Sequence, residues 1–369
     1  MSLEIKSIGR KEYKHFIRFP WSLYRNDPFW VPPLIADQLK YFDPNQGPFY
    51  EFGEAELFMA YRDGVPAGRI SAQIDHQYEK HHDSDTGFFG FFECIKDNET
   101  AEKLLQTAET WVRERGKTRI SGPFNFSLYD ASGLLVHGFD SMPVILTNYN
   151  KAYYPQLLEQ CGYDKEIDWY AFMVRGGLKV RPVFYKIRDR IHRQGIRIEP
   201  LDMKHLDSAV DHIGTIFNEA WSENYGHVPL TDRQIDDFKE ELRYVVVPEL
   251  TYLAFLHDNC IGFSLTIKDA NPAIKQANGR LFPFGLFKIM LGMRHVKRLR
   301  TFAMGVLEEY RNRGLDIVFY LNTIENGINM GYTESECSVI VETNNRMIGA
   351  LEDLNAEHYK TFRFYEKKL

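Results

Sequence analysis

Along the chain, apolar runs and strict alternations take turns with stretches whose apolar positions recur three or four apart, the two periodicities of strands and helices. In the first half this predicts a helix at 11–23 and an extended connector through Asp27, Pro28, Pro32 and Pro33. A strand at 56–61 and a returning strand at 65–74 are joined by the Asp63-Gly64 turn. Further strands are predicted at 87–95, 118–124 and 163–174, with helices at 97–116 and 151–160 and a long polar loop at 125–149. The second half repeats this order. It reads as a strand at 197–199, a helix at 203–221, a hairpin at 251–256 and 260–268, and a strand at 299–306. A helix follows on which Ile317, Leu321, Ile324 and Ile328 share one face. A strand at 335–341, a helix at 344–354 and a closing strand through Tyr365 complete the half.

One fixed offset lays Met59-Ala60-Tyr61 and Gly68 over Leu253-Ala254-Phe255 and Gly262, and Cys161-Gly162 over Asn355-Ala356. Hairpins and chain ends that share a register predict an internal duplication. The expected division is a first domain at 1–175, a basic linker helix at 176–195 and a second domain at 196–369. In the linker, Lys179, Arg181, Lys186, Arg188, Arg190 and Arg193 stand against one acid, Asp189. They read either as a solvated helix face or as a cationic strip beside an anionic cofactor or head group.

The strand at 299–306 leads into an acidic elbow, Leu307-Glu308-Glu309-Tyr310, then Arg311-Asn312-Arg313-Gly314-Leu315-Asp316 and a helix. The first amides of a helix have no partner inside it, and the macrodipole places positive charge there. A strand, a glycine turn and a helix start therefore bind anions, with Gly314 letting a phosphate approach the backbone. Arg311-x-x-Gly314 after the Val306-to-Tyr310 elbow resembles the acyl-CoA loop, Gln/Arg-x-x-Gly-x-Gly/Ala, of the GCN5-related N-acetyltransferase (GNAT) superfamily. Asp316 departs from that pattern at the last position.

The resemblance implies an α/β fold with a mixed α+β sheet, built as two tandem GNAT-like acyl-CoA N-acyltransferase domains. The first copy reads as degenerate: its helix opens with Asp97, Asn98 and Glu99 and lacks a glycine turn, and carboxylates there repel a diphosphate. In the second copy the resemblance places the cofactor against Met304, Gly305, Val306, Arg311, Asn312, Arg313, Gly314, Leu315 and Asn344. It implies a carboxylate base, for which Glu336, Glu308 and Glu309 are the leading candidates and Glu334 a fourth. Trp221, Tyr225 and His227 stand where the family covers its acceptor. The family's tyrosine acid is missing, because Leu351 occupies its position. The implied activity is acyl transfer, acetyl first, from acyl-CoA to an unidentified small-molecule or peptide amine. Two alternatives remain: a long-chain acyl or aminoacyl transferase of the tandem type, and a non-catalytic binder of CoA or another anionic ligand, favoured by Leu351 and Asp316.

Composition narrows the class further. Hydrophobic content of 44% and charge of 26% are those of a globular protein with a core. A net charge of −6 gives no drive toward nucleic acid. Cys94, Cys161, Cys260 and Cys337 are scattered, which suggests neither a zinc site nor a disulfide framework. His81-His82-Asp83-Ser84-Asp85 lacks ligand spacing and reads as a solvated loop, so no metal is expected. Without an apolar leader, the expected compartment is cytoplasmic. The apolar run at 281–294, flanked by Lys and Arg, is too short to span a bilayer. It reads as a helix packed on the sheet, as a wall for a long acyl chain, or as a contact with a membrane surface.

Overall fold

The computed structural model describes residues 2–176 and 180–369, so Lys179 of the basic linker lies outside the described residues. The first half comprises β1 (Leu3–Ser7), α1 (Tyr13–Arg18), α2 (Pro20–Leu23), α3 (Ile35–Tyr41), β2 (Gly53–Arg62), β3 (Val65–Asp75), α4 (His76–His81) and β4 (Thr86–Cys94). It continues with α5 (Asn98–Arg113), β5 (Arg119–Gly122), β6 (Leu134–His137), α6 (Tyr154–Gln160) and β7 (Asp164–Arg175). There follow α7 (Pro182–Arg193), β8 (Ile196–Pro200), α8 (Leu206–Ala220), α9 (Asp232–Val245), β9 (Tyr252–Leu256) and β10 (Asn259–Lys268). The chain ends with α10 (Asn271–Ala277), α11 (Gly285–Met293), β11 (Arg298–Val306), α12 (Leu315–Asn329), β12 (Glu334–Val341), α13 (Asn345–Asp353) and β13 (Glu357–Lys368).

Several local expectations are refined. The helix expected at 11–23 is divided, because Pro20 has no amide to continue α1 and instead opens α2. The polar loop at 125–149 contains β6, and His81 closes α4 rather than lying in a loop. The charged helix α9 was not expected. A reciprocal capping box between Thr231 and Gln234 fixes its start.

The chain forms two compact units. One contains Met1–Trp169, Asn271–Gly292 and Lys360–Leu369; the other contains Tyr170–Ala270 and Met293–Tyr359. The expected division at 1–175, 176–195 and 196–369 follows chain order, whereas these units interleave two segments of the second half with the first.

In the first unit the strand order is β1-β2-β3-β4-β5-β13, with β6 also paired to β13. Neighbours are antiparallel except β4 and β5. Alternation along β2 divides the core. Phe58 and Ala60 join Ile70, Leu104, Leu105 and Val112 under α5, while Leu57 and Met59 join an aromatic cluster of Phe16, Phe42, Phe91 and Phe126. In the second unit β8, β9, β10, β11 and β12 lie in order, with β7 beyond β12. Helices α12, α13 and α7 bury Phe184, Leu321, Cys337, Ile340 and Leu351 on one face. On the other, Ile216 of α8 lies against Gly305, and Phe238 of α9 stacks on Phe302.

The duplication extends to backbone detail. Ala60 pairs with Gly68 and Tyr61 with Pro66, leaving Ala67 as a bulge; Ala254 pairs with Gly262 and Phe255 with Cys260, leaving Ile261 as a bulge. The two bulged residues accept equivalent bonds, from Ile95 N to Ala67 O at 2.9 Å and from Leu307 N to Ile261 O at 3.0 Å. The shared bulge fixes the register of both hairpins.

Candidate functional site

The second unit carries the features of an anion site at the end of β11. Strands β11 and β12 run parallel from Arg298↔Glu334 to Thr301↔Cys337, and there their pairing stops while β11 continues to Val306. A bulge at Phe302 marks the divergence. The two strands therefore part beside the loop. Residues 307–314 then turn the chain into α12, whereas in the first unit residues 95–97 alone join β4 to α5.

Gly314 is the N-cap of α12, with φ of 90° and no side-chain cap. Asn312 is also left-handed, with φ of 62°. Among the described residues none accepts from the amides of 312–317, and the first helical bond runs from Val318 N to Gly314 O. This leaves a row of amide donors at the positive end of a helix. Asp316 does not plug them: its Oδ2 accepts from Arg346 Nη2 at 3.0 Å. Local sequence does not reveal this pairing, because the two residues lie 30 positions apart.

The three arginines around the loop have different tasks. Arg311 donates to Ala220 O at 2.8 Å and to Val306 O at 3.2 Å, tying the end of α8 to the end of β11. It is a brace in the folded unit rather than an outward-facing cation. Arg313 is exposed, donates to Glu309 O and lies over the Tyr310 ring. Arg190 of α7 donates to Arg313 O at 2.7 Å, and a Cβ on Gly314 would stand 2.6 Å from Ile187 of the same helix. Part of the basic strip is engaged within the unit. Arg188 pairs with Glu325 and Arg181 with Asp353, while Phe184 and Ile191 are buried.

The other expected site residues separate. Trp221 donates its indole N–H to Met304 O at 3.0 Å and packs on Phe217, so it holds α8 to β11. His227 is buried beside Phe217, and Tyr225 is half-buried in the same connection. Gly305 and Val306 pair with Phe263 and Gly262, and Leu315 is core. Asn344 caps α13, its Oδ1 accepting from Met347 N at 3.1 Å, so that oxygen is already engaged. Glu308 and Glu309 are exposed on the elbow, and Glu334 pairs with Arg175. Glu336 is wholly buried opposite Arg300, with Ser338 donating to Oε1 and no partner for Oε2 among the described residues. Burial raises its pKa against the pull of Arg300. In this arrangement it faces Arg300 from inside the sheet, its Oε1 taken by Ser338. Leu351 is core, packed with Tyr320 and Cys337.

The first unit presents the same strand geometry in a filled form. Pairing of β4 with β5 ends at Phe88↔Ser121 while β4 continues to Cys94. Phe124 N then bonds Phe89 O at 2.7 Å, and Asn125 Oδ1 takes Phe91 N at 2.8 Å. Cys94 N donates to the Tyr154 hydroxyl at 3.0 Å, and Tyr153 donates to Cys94 O at 2.7 Å. Asp97 caps α5 on Thr100 N and is clamped with Glu99 by Arg62. Carboxylates occupy the helix end, as the sequence predicts, and no glycine loop precedes it.

No family model matches the chain. It is 33% identical over 371 residues to Protein YghO of Escherichia coli strain K12, covering 98% of this chain and 94% of that protein. It is 32% identical over 365 residues to a bacterial ceramide synthase of Caulobacter vibrioides, covering 97% and 95%. A tandem GNAT protein from the clavulanic acid biosynthesis pathway shares its fold with a TM-score of 0.56 at 12% identity, covering 100% of this chain and 98% of the other. A GCN5-related N-acetyltransferase from Sphaerobacter thermophilus does so at 0.52 and 13%, covering 99% and 95%. With both halves built on one plan and only the second keeping the glycine loop, the chain belongs to the family of these two full-length relatives and has the fold of a tandem GCN5-related N-acetyltransferase protein.

Proposed function

We propose that the protein is an acyl-CoA-dependent N-acyltransferase whose second unit holds the CoA diphosphate at residues 312–317. One observation carries this reading: α12 begins at a left-handed, uncapped Gly314 beside the point where β11 leaves β12. Acyl transfer to an amine needs the thioester and a neutral amine held in contact, with donors fixed on the carbonyl oxygen. A parted strand beside a helix start supplies such a place. The first unit, with its strand edge filled by Asn125, Tyr153 and Tyr154, takes no part in holding CoA.

A second reading concerns the length of the acyl chain. A ceramide is an N-acylated long-chain amino alcohol, and near full-length similarity to a ceramide synthase favours a fatty acyl donor and a lipid amine over acetyl transfer. Calorimetry with CoA, acetyl-CoA and palmitoyl-CoA tests both. Binding of all three supports the site, and tighter binding of palmitoyl-CoA supports the long chain; no heat with any of them defeats both.

Gly314→Glu is a poor variant for this purpose, because positive φ and the contact with Ile187 would disturb the fold. Exposed Arg313→Glu is better. It should weaken CoA about tenfold, the effect of about 1.4 kcal/mol of repulsion, with the melting temperature nearly unchanged. Unaltered affinity in that variant would put the diphosphate elsewhere.

A further inference from the structure

The longest bare apolar surface lies on α11 and the residues before it. Phe282, Phe284, Leu286, Phe287, Met290 and Leu291 are between 41% and 79% exposed. The helix explains the arrangement. Gly285, Ile289 and Gly292 form one stripe, and the two glycines lie against Ala277 and Ala273 of α10. Small residues there let α11 sit close to α10. The i, i+1, i+4, i+5 positions Leu286, Phe287, Met290 and Leu291 are thereby turned outward. Elsewhere in the unit, aromatic residues are used to fill its core.

Charge identifies the occupant. The chain as a whole carries −6, yet no Asp or Glu occurs between Asp269 and Glu308. Lys275, Arg280, Lys288, Arg294 and Lys297 all fall in that interval. Arg280, Lys288 and Arg294 are exposed and bracket the apolar residues. A protein partner would meet an apolar face with a polar rim of mixed sign. A rim of one sign around protruding phenylalanines instead matches the boundary of an anionic bilayer, where acyl chains take the rings and phosphates take the lysine and arginine heads. No helix among the described residues is long and apolar enough to cross a membrane, so the contact lies on the surface.

We propose that α11, with Phe282-Pro283-Phe284, is a docking element that seats the protein on the interface of an anionic lipid bilayer. This inference stands apart from the catalytic reading, since its test contains no acyl-CoA and measures no activity.

The full chain is sedimented with vesicles of phosphatidylcholine alone or with one quarter phosphatidylglycerol. Binding to the anionic vesicles is expected, with several-fold weaker binding to the neutral ones and in high salt. Phe284→Ser combined with Phe287→Ser should lower the partition about tenfold or more. Phe287→Trp keeps the face apolar and reports on depth: its emission should shift to the blue and be quenched by brominated acyl chains. Three results would overturn the proposal: no binding of the wild type to anionic vesicles, equal binding by the double serine variant, or a dimer in light scattering that this variant abolishes. The last would assign the face to a second copy.

Discussion

Removing a carboxylate from the start of α12 should make the protein less stable and its grip on CoA stronger. Asp316 is the second residue of that helix, and its carboxylate is held by Arg346 at 3.0 Å. A negative charge in the first turn stabilises a helix by about 0.3–1 kcal/mol. A partly exposed ion pair adds between nothing and about 1 kcal/mol. Asp316→Asn should therefore lower stability by about 0.5–1.5 kcal/mol, a few degrees in melting temperature for a protein of this size. The ligand sees the opposite sign. Two unit charges about 6 Å apart repel by about 0.7 kcal/mol in a water-like medium and about 3 kcal/mol at an effective dielectric constant of 20.

With salt screening, relief of about 1 kcal/mol is expected, or about fivefold tighter binding. Arg346→Gln is the complementary change. It releases the Asp316 carboxylate to approach the amides of 312–317 and should weaken CoA by a similar factor. Calorimetry with CoA at low and high salt, beside thermal unfolding, measures both quantities. If Asp316→Asn loses stability while its CoA affinity is unchanged or reduced at low salt, the diphosphate does not sit at this helix end.

The remaining predictions concern the interior. Burial raises the Asp75 carboxyl to about 6, against the pull of the Gln77 and Tyr78 amides that it caps. Its folded pKa lies above the unfolded value of 3.8. The associated stability is thus complete below about pH 3.8 and is lost as pH rises through about 6, in total about 2–3 kcal/mol. The stability of Asp75→Asn relative to wild type should climb across that interval in urea titrations; a flat difference refutes it. Tyr154→Phe removes a buried hydroxyl that accepts from Cys94 N and donates to Glu93 at 2.7 Å. It should cost about 2–4 kcal/mol, and a loss below about 0.5 kcal/mol would show that other groups satisfy the strand edge. Glu336→Gln disturbs the buried carboxyl that accepts from Ser338 opposite Arg300 and should cost about 1–3 kcal/mol. A variant of unchanged stability with a depressed turnover would instead assign Glu336 to the chemistry.

Much of the fold was legible because it is written in local period and in repetition. The hairpin offset from Met59 to Leu253 reports the same bulge in both copies, at Ala67 and Ile261. The loop through Gly314 was legible because a left-handed residue before a helix requires glycine. What escaped depends on partners far away in sequence. Period does not reveal that Asn271–Gly292 and Lys360–Leu369 join the first unit, or that Arg346 draws Asp316 aside. The hydrogen bonds of Arg311 are hidden in sequence for a similar reason. Its neighbours in sequence suggested a phosphate ligand, while its hydrogen bonds go to Ala220 O and Val306 O. The cap that Asn344 places on α13 likewise shows only in the fold.

The two copies differ in how they satisfy the same strand edge. Where a strand leaves its neighbour, its backbone groups must find other partners, since a buried peptide group without one is costly. In the first unit the chain itself answers this need at Phe89 O, Phe91 N and both groups of Cys94. Glu93 is locked into the same arrangement by Tyr24 and Tyr154. In the second unit Trp221 and Arg311 satisfy the carbonyls of Met304 and Val306, while the amides of 312–317 gain no internal partner. Carbonyl oxygens are poor company for a diphosphate, and amide hydrogens are good company. Covering the first and exposing the second is the pattern that an anion-binding copy requires. Clearing the first cleft of Tyr153 and Tyr154 would not restore such a site, because residues 95–97 contain no loop to present amides and Asp97 already caps the helix.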